Sequence, residues 1–271
     1  MSLFICPVCR KTLEISDKSM RCENGHSFDI SSAGDVFLLR TSKGIHGDNR
    51  EMVLARRDFL ERGFYSFLRD KLSEIASGFF GGCEVNYFDA GCGTGYYTQG
   101  VADALEKKCR VNTVGIDISK DAVKISAKRM KNARFVTASV YDLPLADNSI
   151  DIITNVFSPM ADGEFVRVMK DNGILLYVVP AARHLYSMKS VLYETPYENE
   201  EKAVEYQGLE LCEAVQVDSS AILSREELAS LFEMTPYFWT TSKEGSERLS
   251  SLEELEVGFS FIIYVYKKAG L

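Results

Sequence analysis

The most informative part of the chain for chemistry is a glycine-rich turn between a predicted strand and a predicted helix. Gly91, Gly93 and Gly95 recur at every second position, and Asp89 lies just ahead of them. A dinucleotide-binding loop has its third glycine one residue later and places a pyrophosphate at the helix N-terminus. The tighter spacing, with an acid that can receive an ammonium group, favours a ligand without phosphate, namely S-adenosylmethionine. The other interpretation is a tight turn between a strand and a helix.

A second acid follows at the end of the next predicted strand. Residues 111–117 form a short apolar segment that ends at Asp117, and Ser119 is suited to cap the following helix. An acid at this point of a doubly wound sheet can accept both hydroxyls of a ribose. Ser139 follows a third predicted strand. Asp89, Asp117 and Ser139 are therefore expected at the carboxyl ends of the strands, where such sheets bind ligands.

The remaining pattern predicts the sheet that positions these residues. Predicted strands at 133–138, 150–153 and 173–180 alternate with helical segments, which implies a parallel sheet with helices on both faces. The fold class is therefore α/β, of the class I (Rossmann-like) S-adenosylmethionine-dependent methyltransferase type. Segment 259–266 is expected to be a buried strand that pairs antiparallel at the edge of the sheet. Residues 181–235 are expected to form an insertion or cap, helical in part.

Four potential metal ligands lie near the N-terminus. Cys6, Cys9, Cys22 and His26 have the spacing C-x2-C-x12-C-x3-H. Three thiolates and an imidazole form a closed tetrahedral set, which is typical of structural zinc. Because no position is left for an activated water, the metal is expected to support folding or partner contact rather than chemistry. The alternative is three buried cysteines and a surface histidine.

Composition sets the broad class. The 271 residues are enough for one α/β domain with smaller additions. No apolar stretch is long enough to span a membrane, and no secretory segment is visible, so we expect a cytoplasmic protein without membrane contact. The net charge of −8 does not favour nucleic acid, although phosphate contact requires only a local basic face.

A helical segment is predicted between the cysteine-rich start and the glycine-rich turn. Asp48 can cap a helix with one apolar face that ends near Gly63, and a second helix follows. This segment is either a packing bridge or a lid over the cofactor. We therefore expect a zinc ribbon at 1–45, a helical linker or lid at 46–80 and a methyltransferase domain at 81–271.

Together these segments resemble the bacterial 23S ribosomal RNA guanine-N1 methyltransferases, which include the tylosin-resistance enzymes. The glycine loop alone is common among methyltransferases, but the combination of motifs is specific to this family. The match covers nearly the whole chain. The matching segments are Cys6–Cys9, His26–Asp29, Gly47–Leu60, Asp89–Thr98, Gly115–Lys120, Arg183–Leu185 and Met234–Pro236. The resemblance implies a zinc ribbon that recognises RNA, a class I methyltransferase domain and a homodimer. It also implies methyl transfer to N1 of one guanine in a 23S rRNA hairpin.

By position, the resemblance assigns the zinc to Cys6, Cys9, Cys22 and His26, and cofactor contacts to Tyr65, Gly93, Thr94, Asp117 and His184. The family varies at Thr94, so its side chain is not expected to be a fixed contact. Many methyltransferases place an acid near the adenine where this chain has Ser139. The adenine must then be read by Ser139 Oγ or by the backbone of Val140. His184 can alternatively be a histidine that packs on the sheet.

The segment Asn155–Pro159 follows the fourth predicted strand, where such enzymes usually hold the target base. Asn155 is expected to position the base, and Phe157 or Trp239 offers a stacking surface, although the ordinary interpretation of both aromatics is core packing. The sequence names no general base. A small-molecule methyltransferase acting on quinones or other metabolites is the alternative function, and it leaves the zinc ribbon unexplained. A non-catalytic RNA-binding scaffold is a second alternative.

Overall fold

The structure is a computed structural model that describes residues 2–40, 47–82, 84–200 and 205–270. Among the helices that it describes, none has the length and apolar character needed to cross a bilayer. The strands are β1 Glu14–Ser16, β2 Ser19–Arg21, β3 Ser27–Asp29, β4 Val36–Phe37, β5 Glu84–Ala90, β6 Arg110–Asp117, β7 Arg134–Thr137, β8 Ile150–Val156, β9 Met169–Pro180, β10 Leu209–Ser224 and β11 Glu254–Lys268. The helices are α1 Arg50–Glu61, α2 Ser66–Phe79, α3 Tyr96–Glu106, α4 Lys120–Arg129, α5 Asp162–Val168, α6 Tyr186–Leu192, α7 Arg225–Glu233, α8 Tyr237–Thr240 and α9 Lys243–Ser250.

The main sheet has eight strands in the order β10-β11-β9-β8-β5-β6-β7-β4. β5 lies at its centre and pairs in parallel with β6 on one side and with β8 on the other. The strand order therefore reverses at β5, and the carboxyl ends of β5, β6 and β8 border one crevice. Ligands of doubly wound sheets bind at such a point. The predicted Rossmann-like fold is confirmed.

The last strands differ in part from the prediction. β11 is buried and antiparallel as expected, but it lies between β9 and β10 rather than at the edge. The edge strand is β10, which belongs to the segment 181–235 that was predicted as an insertion or cap. A bulge between Leu211 and Glu213 interrupts the alternation of side chains between the two faces of this strand. Most of its side chains are exposed. Because an exposed strand carries a weak hydrophobic pattern, β10 could not be recognised from the sequence.

The N-terminal segment is integrated with the sheet. β1, β2 and β3 form a separate three-stranded antiparallel sheet, whereas β4 pairs in parallel with β7. Leu13 and Met20 of this segment pack in the same buried cluster as Phe88 of β5. The predicted ribbon therefore supplies β4, the edge strand opposite β10, and part of the core on one face of the sheet. Residues 41–45 of the predicted segment lie outside the described residues.

Helix α1 lies near the carboxyl ends of the central strands, where it packs against α4 and α7. Its N-cap is Asn49, whose Oδ1 accepts a hydrogen bond of 2.9 Å from the backbone N–H of Met52. The prediction that Asp48 caps this helix is wrong, because the Asp48 side chain instead forms an ion pair with Arg56. Gly63, with φ of +85°, ends the helix as predicted.

Candidate active site

The glycine-rich turn leads from β5 into α3, as the sequence predicted. Gly91, Gly93 and Gly95 have φ values of +77°, +52° and +77°, a region that favours glycine. Gly91 is also confined by its surroundings, since a Cβ there would lie 2.4 Å from both Cβ and Oγ of Ser158. The loop can therefore approach the segment after β8 only because residue 91 has no side chain.

Replacing Gly91 with alanine should weaken S-adenosylmethionine binding about 10- to 100-fold, because the new methyl group forces the turn away from Ser158. Isothermal titration calorimetry measures this loss. Gly78→Ala is the matched control, since Gly78 lies in α2 with nothing within 4 Å of its added Cβ. Wild-type affinity in Gly91→Ala would show that the turn tolerates a side chain.

Asp117 joins the glycine loop to the end of β6. Its Oδ2 accepts a hydrogen bond of 2.9 Å from the Gly93 N–H, and its Oδ1 accepts one of 2.8 Å from the Ser119 N–H. Burial raises the pKa of this carboxyl, while the two backbone donors act in the opposite direction. Asp117 also lines the cavity beside the loop, where the ribose of the cofactor is predicted to lie.

Asp89 is buried near the end of β5. Its side chain accepts hydrogen bonds from the hydroxyls of Thr98 on α3 and Thr154 on β8, at 2.5 and 2.8 Å. Burial raises the pKa of the Asp89 carboxyl to about 6. Asp89 is not among the residues that line the adjacent cavity. Its predicted contact with the cofactor ammonium stays a prediction, and the geometry favours a role in fixing α3 and β8 to β5.

The first cavity, called the cofactor cavity here, has a volume of about 280 Å³ beside the glycine loop. Two hydroxyls of residues on its wall are buried without a hydrogen-bond partner, those of Thr94 and Tyr97. Unpaired buried hydroxyls are costly, so a polar ligand would compensate them. Ser139 and Val140 lie on the same wall after β7, at the predicted adenine position. These groups, with Asp117, fit S-adenosylmethionine.

The second cavity, called the substrate cavity here, has a volume of about 550 Å³ and shares Arg56 and the segment 157–159 with the cofactor cavity. Its wall is rich in aromatic side chains, which are Tyr65, Phe157, Tyr177, Tyr206, Tyr237, Phe261 and Tyr264. Tyr65 and His184, predicted as cofactor contacts, line this cavity and not the first. A cofactor that touched them would have to extend past Phe157, so their role stays a prediction.

His184 is buried in the turn after β9. Its Nδ1 accepts a hydrogen bond of 3.3 Å from the Ser260 N–H, and its ring packs on Phe261 with 4.4 Å between ring centroids. Burial, with a smaller contribution from Lys189, lowers the pKa of His184 to about 3. The imidazole is therefore neutral at pH 7, with its proton on Nε2. It can donate a hydrogen bond there, but its Nδ1 is not free to act as a base.

Asn155 lies at the end of β8 and lines neither cavity. Its Nδ2 donates to the carbonyl of Pro159 at 3.0 Å, and its Oδ1 accepts from the Ser158 N–H at 3.2 Å. Both ends of the amide are thus used within its own loop, which holds Phe157 at φ of +58°. The geometry indicates that Asn155 positions its loop rather than contacting the target base directly.

Trp239, predicted as a possible stacking surface, is exposed on α8 and lines neither cavity.

Replacing Asn155 with alanine should therefore release the segment that carries Phe157. We expect kcat to fall about 10- to 100-fold, because Phe157 would no longer be held at the substrate cavity. We expect little change in cofactor affinity, because the hydrogen bond between Gly93 and Asp117 is not touched. Steady-state kinetics and calorimetry measure the two quantities separately. Asn132→Ala, at an exposed site, is the control. Unchanged turnover in Asn155→Ala would reject a positioning role.

The four predicted zinc ligands come together in the structure. The ligand atoms of Cys6, Cys9, Cys22 and His26 all lie within 4.8 Å of one another. The Cys9 and Cys22 sulfurs are 3.7 Å apart, and His26 Nδ1 is 3.6 and 3.3 Å from the sulfurs of Cys6 and Cys22. A tetrahedral site with zinc–sulfur bonds of about 2.3 Å places its sulfurs at about this separation. The predicted structural zinc site is confirmed.

Three residues that line both cavities, Arg56, Ser158 and Pro159, were not predicted individually as site residues, although Ser158 and Pro159 belong to the segment expected to hold the target base. Arg56 projects from α1, and Ser158 follows β8. The available signal for Arg56 was its place in the segment that resembles the RNA methyltransferases, four residues before Leu60 on the same helix. For Ser158 the signal was its place in the segment 155–159, but nothing in the chain predicts that it packs against Gly91.

The fold, the cofactor cavity and the zinc ligands define a class I S-adenosylmethionine-dependent methyltransferase with an N-terminal zinc ribbon. Residues 83–235 match the methyltransferase domain family, and residues 4–43 match the RlmA N-terminal zinc ribbon family. Among solved structures, a protein of Bacillus halodurans provisionally described as a methyltransferase (BH2331) superposes with a TM-score of 0.50 at 17% identity, covering 74% of this chain and 99% of that one. This likeness concerns the fold alone.

Sequence relatives identify the family. The chain is 35% identical over 189 residues to the 23S rRNA (guanine(748)-N(1))-methyltransferase of Streptomyces fradiae, covering 69% of this chain and 66% of that protein. It is 32% identical over 267 residues to YxjB of Bacillus subtilis, provisionally named a 23S rRNA (guanine-N(1)-)-methyltransferase, covering 94% and 92%. The chain belongs to the 23S rRNA guanine-N1 methyltransferase family. Relatives named for quinone methylation align with 36% of this chain or less.

Proposed function

We propose that this protein transfers the methyl group of S-adenosylmethionine to N1 of one guanine in a 23S rRNA hairpin. The observation that supports this most directly is the pair of cavities that share a wall at Phe157, Ser158 and Pro159. One fits the cofactor, and the other is lined by aromatic rings that suit a single base removed from its stack. The family membership supports the same reaction.

The cofactor supplies an activated methyl group, so the protein has to position the base and exclude water. The exposed ring of Phe157 stands between the two cavities, within 5.1 Å of Phe261 measured between ring centroids. It offers the target base a stacking surface at the point where the cavities meet. A paired or stacked guanine must first be extruded, at a cost of a few kcal/mol.

Guanine N1 carries a proton that has to leave as the new bond forms. Among the described residues that line the substrate cavity, Glu200 is the only carboxylate. We assign it as the acceptor of this proton, directly or through a water, with a contribution of roughly 10²–10⁴-fold. His184 cannot serve this role, because its Nδ1 is occupied by Ser260. Its Nε2–H is instead a donor suited to an acceptor atom of the base, such as guanine O6.

The zinc ribbon is proposed to contact the RNA. Arg10 connects the ribbon to the catalytic domain, because its Nη1 donates to Asp142 Oδ1 and to the Leu143 carbonyl, both at 3.3 Å. We further propose a homodimer that acts in the cytoplasm on rRNA. Light scattering measures the mass in solution, and a monomer at the concentrations used for activity would reject the dimer.

Methyl transfer from labelled S-adenosylmethionine tests the substrate class. Unmodified 23S rRNA should accept label, whereas 16S rRNA and a quinone precursor should not. Binding of 23S rRNA should weaken as salt is raised, because phosphate contacts release counterions. Label that enters the quinone precursor but no RNA would favour the small-molecule alternative.

A further inference from the structure

Arg56 is the only arginine or lysine among the described residues that line either cavity, and it lines both. His184, the one histidine there, is neutral for the reasons given above. The acids on the wall of the cofactor cavity are Asp48 and Asp117. Among the described residues, the walls of the two cavities are therefore acidic apart from a single fixed positive charge, which lies at the junction of the two cavities.

Two contacts hold the Arg56 guanidinium in place. Its Nη1 forms an ion pair with Asp48 Oδ2, and its Nη2 donates to the backbone carbonyl of Met234 at 3.1 Å. About one third of the side chain is exposed, at 35%. A guanidinium has five N–H donors, so these two partners leave others unused. Leu60, one turn further along α1, lines the cofactor cavity as well, which places this face of the helix over the site.

The cofactor has one group that the acids cannot bind. Its ribose is matched by Asp117, and its ammonium and sulfonium groups are compatible with an acidic wall. Its carboxylate needs a donor, and a guanidinium is the preferred partner for that geometry. We propose that Arg56 binds the carboxylate of S-adenosylmethionine through the N–H groups that Asp48 and Met234 do not use. This inference deepens the proposed function, but it does not depend on which substrate is methylated.

The same side chain connects the cofactor to the substrate cavity. Met234, whose carbonyl Arg56 holds, begins a segment that continues through Thr235, Pro236 and Tyr237 along the substrate cavity. A carboxylate bound to Arg56 therefore stabilises the position of that wall. Loss of the side chain should affect both cofactor affinity and the use of substrate.

Decarboxylated S-adenosylmethionine, which lacks only the carboxylate, tests the assignment by calorimetry without any RNA. Wild type should bind S-adenosylmethionine about 10- to 100-fold more tightly than the decarboxylated compound, the range for one charge-assisted pair. In Arg56→Ala this ratio should fall below about 3-fold. Arg57→Ala is the matched control, because Arg57 is the next residue of α1, pairs with Asp58 and lines neither cavity. It should keep the wild-type ratio.

An unchanged ratio in Arg56→Ala, or no preference in wild type, would overturn the proposal. The first result would mean that neutral donors such as the Thr94 and Tyr97 hydroxyls bind the carboxylate. Arg56→Lys keeps the charge and should recover part of the preference. Thermal unfolding of each variant shows whether it is folded, and the ratio of two affinities within one variant is insensitive to a general loss of affinity. Failure of rRNA methylation with an intact ratio would reject the proposed function alone.

Discussion

Replacing Cys22 with serine should remove the bound zinc and lower the melting temperature of the whole protein by on the order of 10 °C or more. Structural zinc stabilises small domains strongly, because the ligand set does not exist in the unfolded chain. Cys22 is buried, and its sulfur lies 3.7 Å from that of Cys9 and 3.3 Å from Nδ1 of His26. Its loss therefore leaves an incomplete ligand set.

The effect should extend beyond the ribbon, because the ribbon is not an independent unit. Cys6 and Cys22 belong to the same buried cluster as Phe88 and Ile116 of the central strands, and β4 pairs with β7. Zinc content by elemental analysis and melting by calorimetry measure the two consequences. Cys212→Ser is the control, since Cys212 is exposed and outside the ligand set. A zinc-free Cys22→Ser protein that melts like wild type would show that the metal does not support the fold.

Replacing Asp117 with alanine should weaken S-adenosylmethionine binding by roughly 10²–10³-fold. Two effects add in the same direction. The predicted contacts to the ribose hydroxyls are lost, each a hydrogen bond to a charged group. The Gly93 N–H also loses its acceptor at 2.9 Å, so the glycine loop is no longer fixed to the end of β6.

Calorimetric titration with S-adenosylmethionine and with S-adenosylhomocysteine measures this loss. Asp121→Ala is the matched control, because Asp121 is an exposed acid in the first turn of α4, only four residues away. It should bind the cofactor like wild type. An Asp117→Ala variant with affinity within about threefold of wild type, a difference of well under 1.4 kcal/mol, would remove Asp117 from the cofactor site.

The sequence predicted the parallel part of the fold well, because buried parallel strands read as short apolar runs between helices. The strands that end at Ala90 and Asp117 and the Ser119 cap form as expected. β10 was not predicted, because a bulge and many exposed side chains remove the two-residue hydrophobic alternation that identifies a strand. β4 was missed because two residues are too short to leave a pattern.

The zinc ligands were predictable because they come from two short segments with fixed spacing. The active site was less so, since its walls combine residues that are far apart in the chain. Arg56 meets Met234, and Gly91 meets Ser158, through packing that no local pattern describes. Position alone also left the roles of Asp89 and Asn155 undetermined. The structure shows that the polar atoms of both side chains are already used within the protein.

Primer extension on 23S rRNA that has been incubated with the enzyme and S-adenosylmethionine tests the proposed methyl transfer to guanine N1, because N1-methylguanine blocks base pairing. We expect one strong stop at a single hairpin guanine, absent without cofactor, and 1-methylguanosine in the nuclease digest by mass spectrometry. A protein that binds the cofactor yet yields no stop and no 1-methylguanosine, on free rRNA or on assembling large-subunit particles, would contradict this proposal.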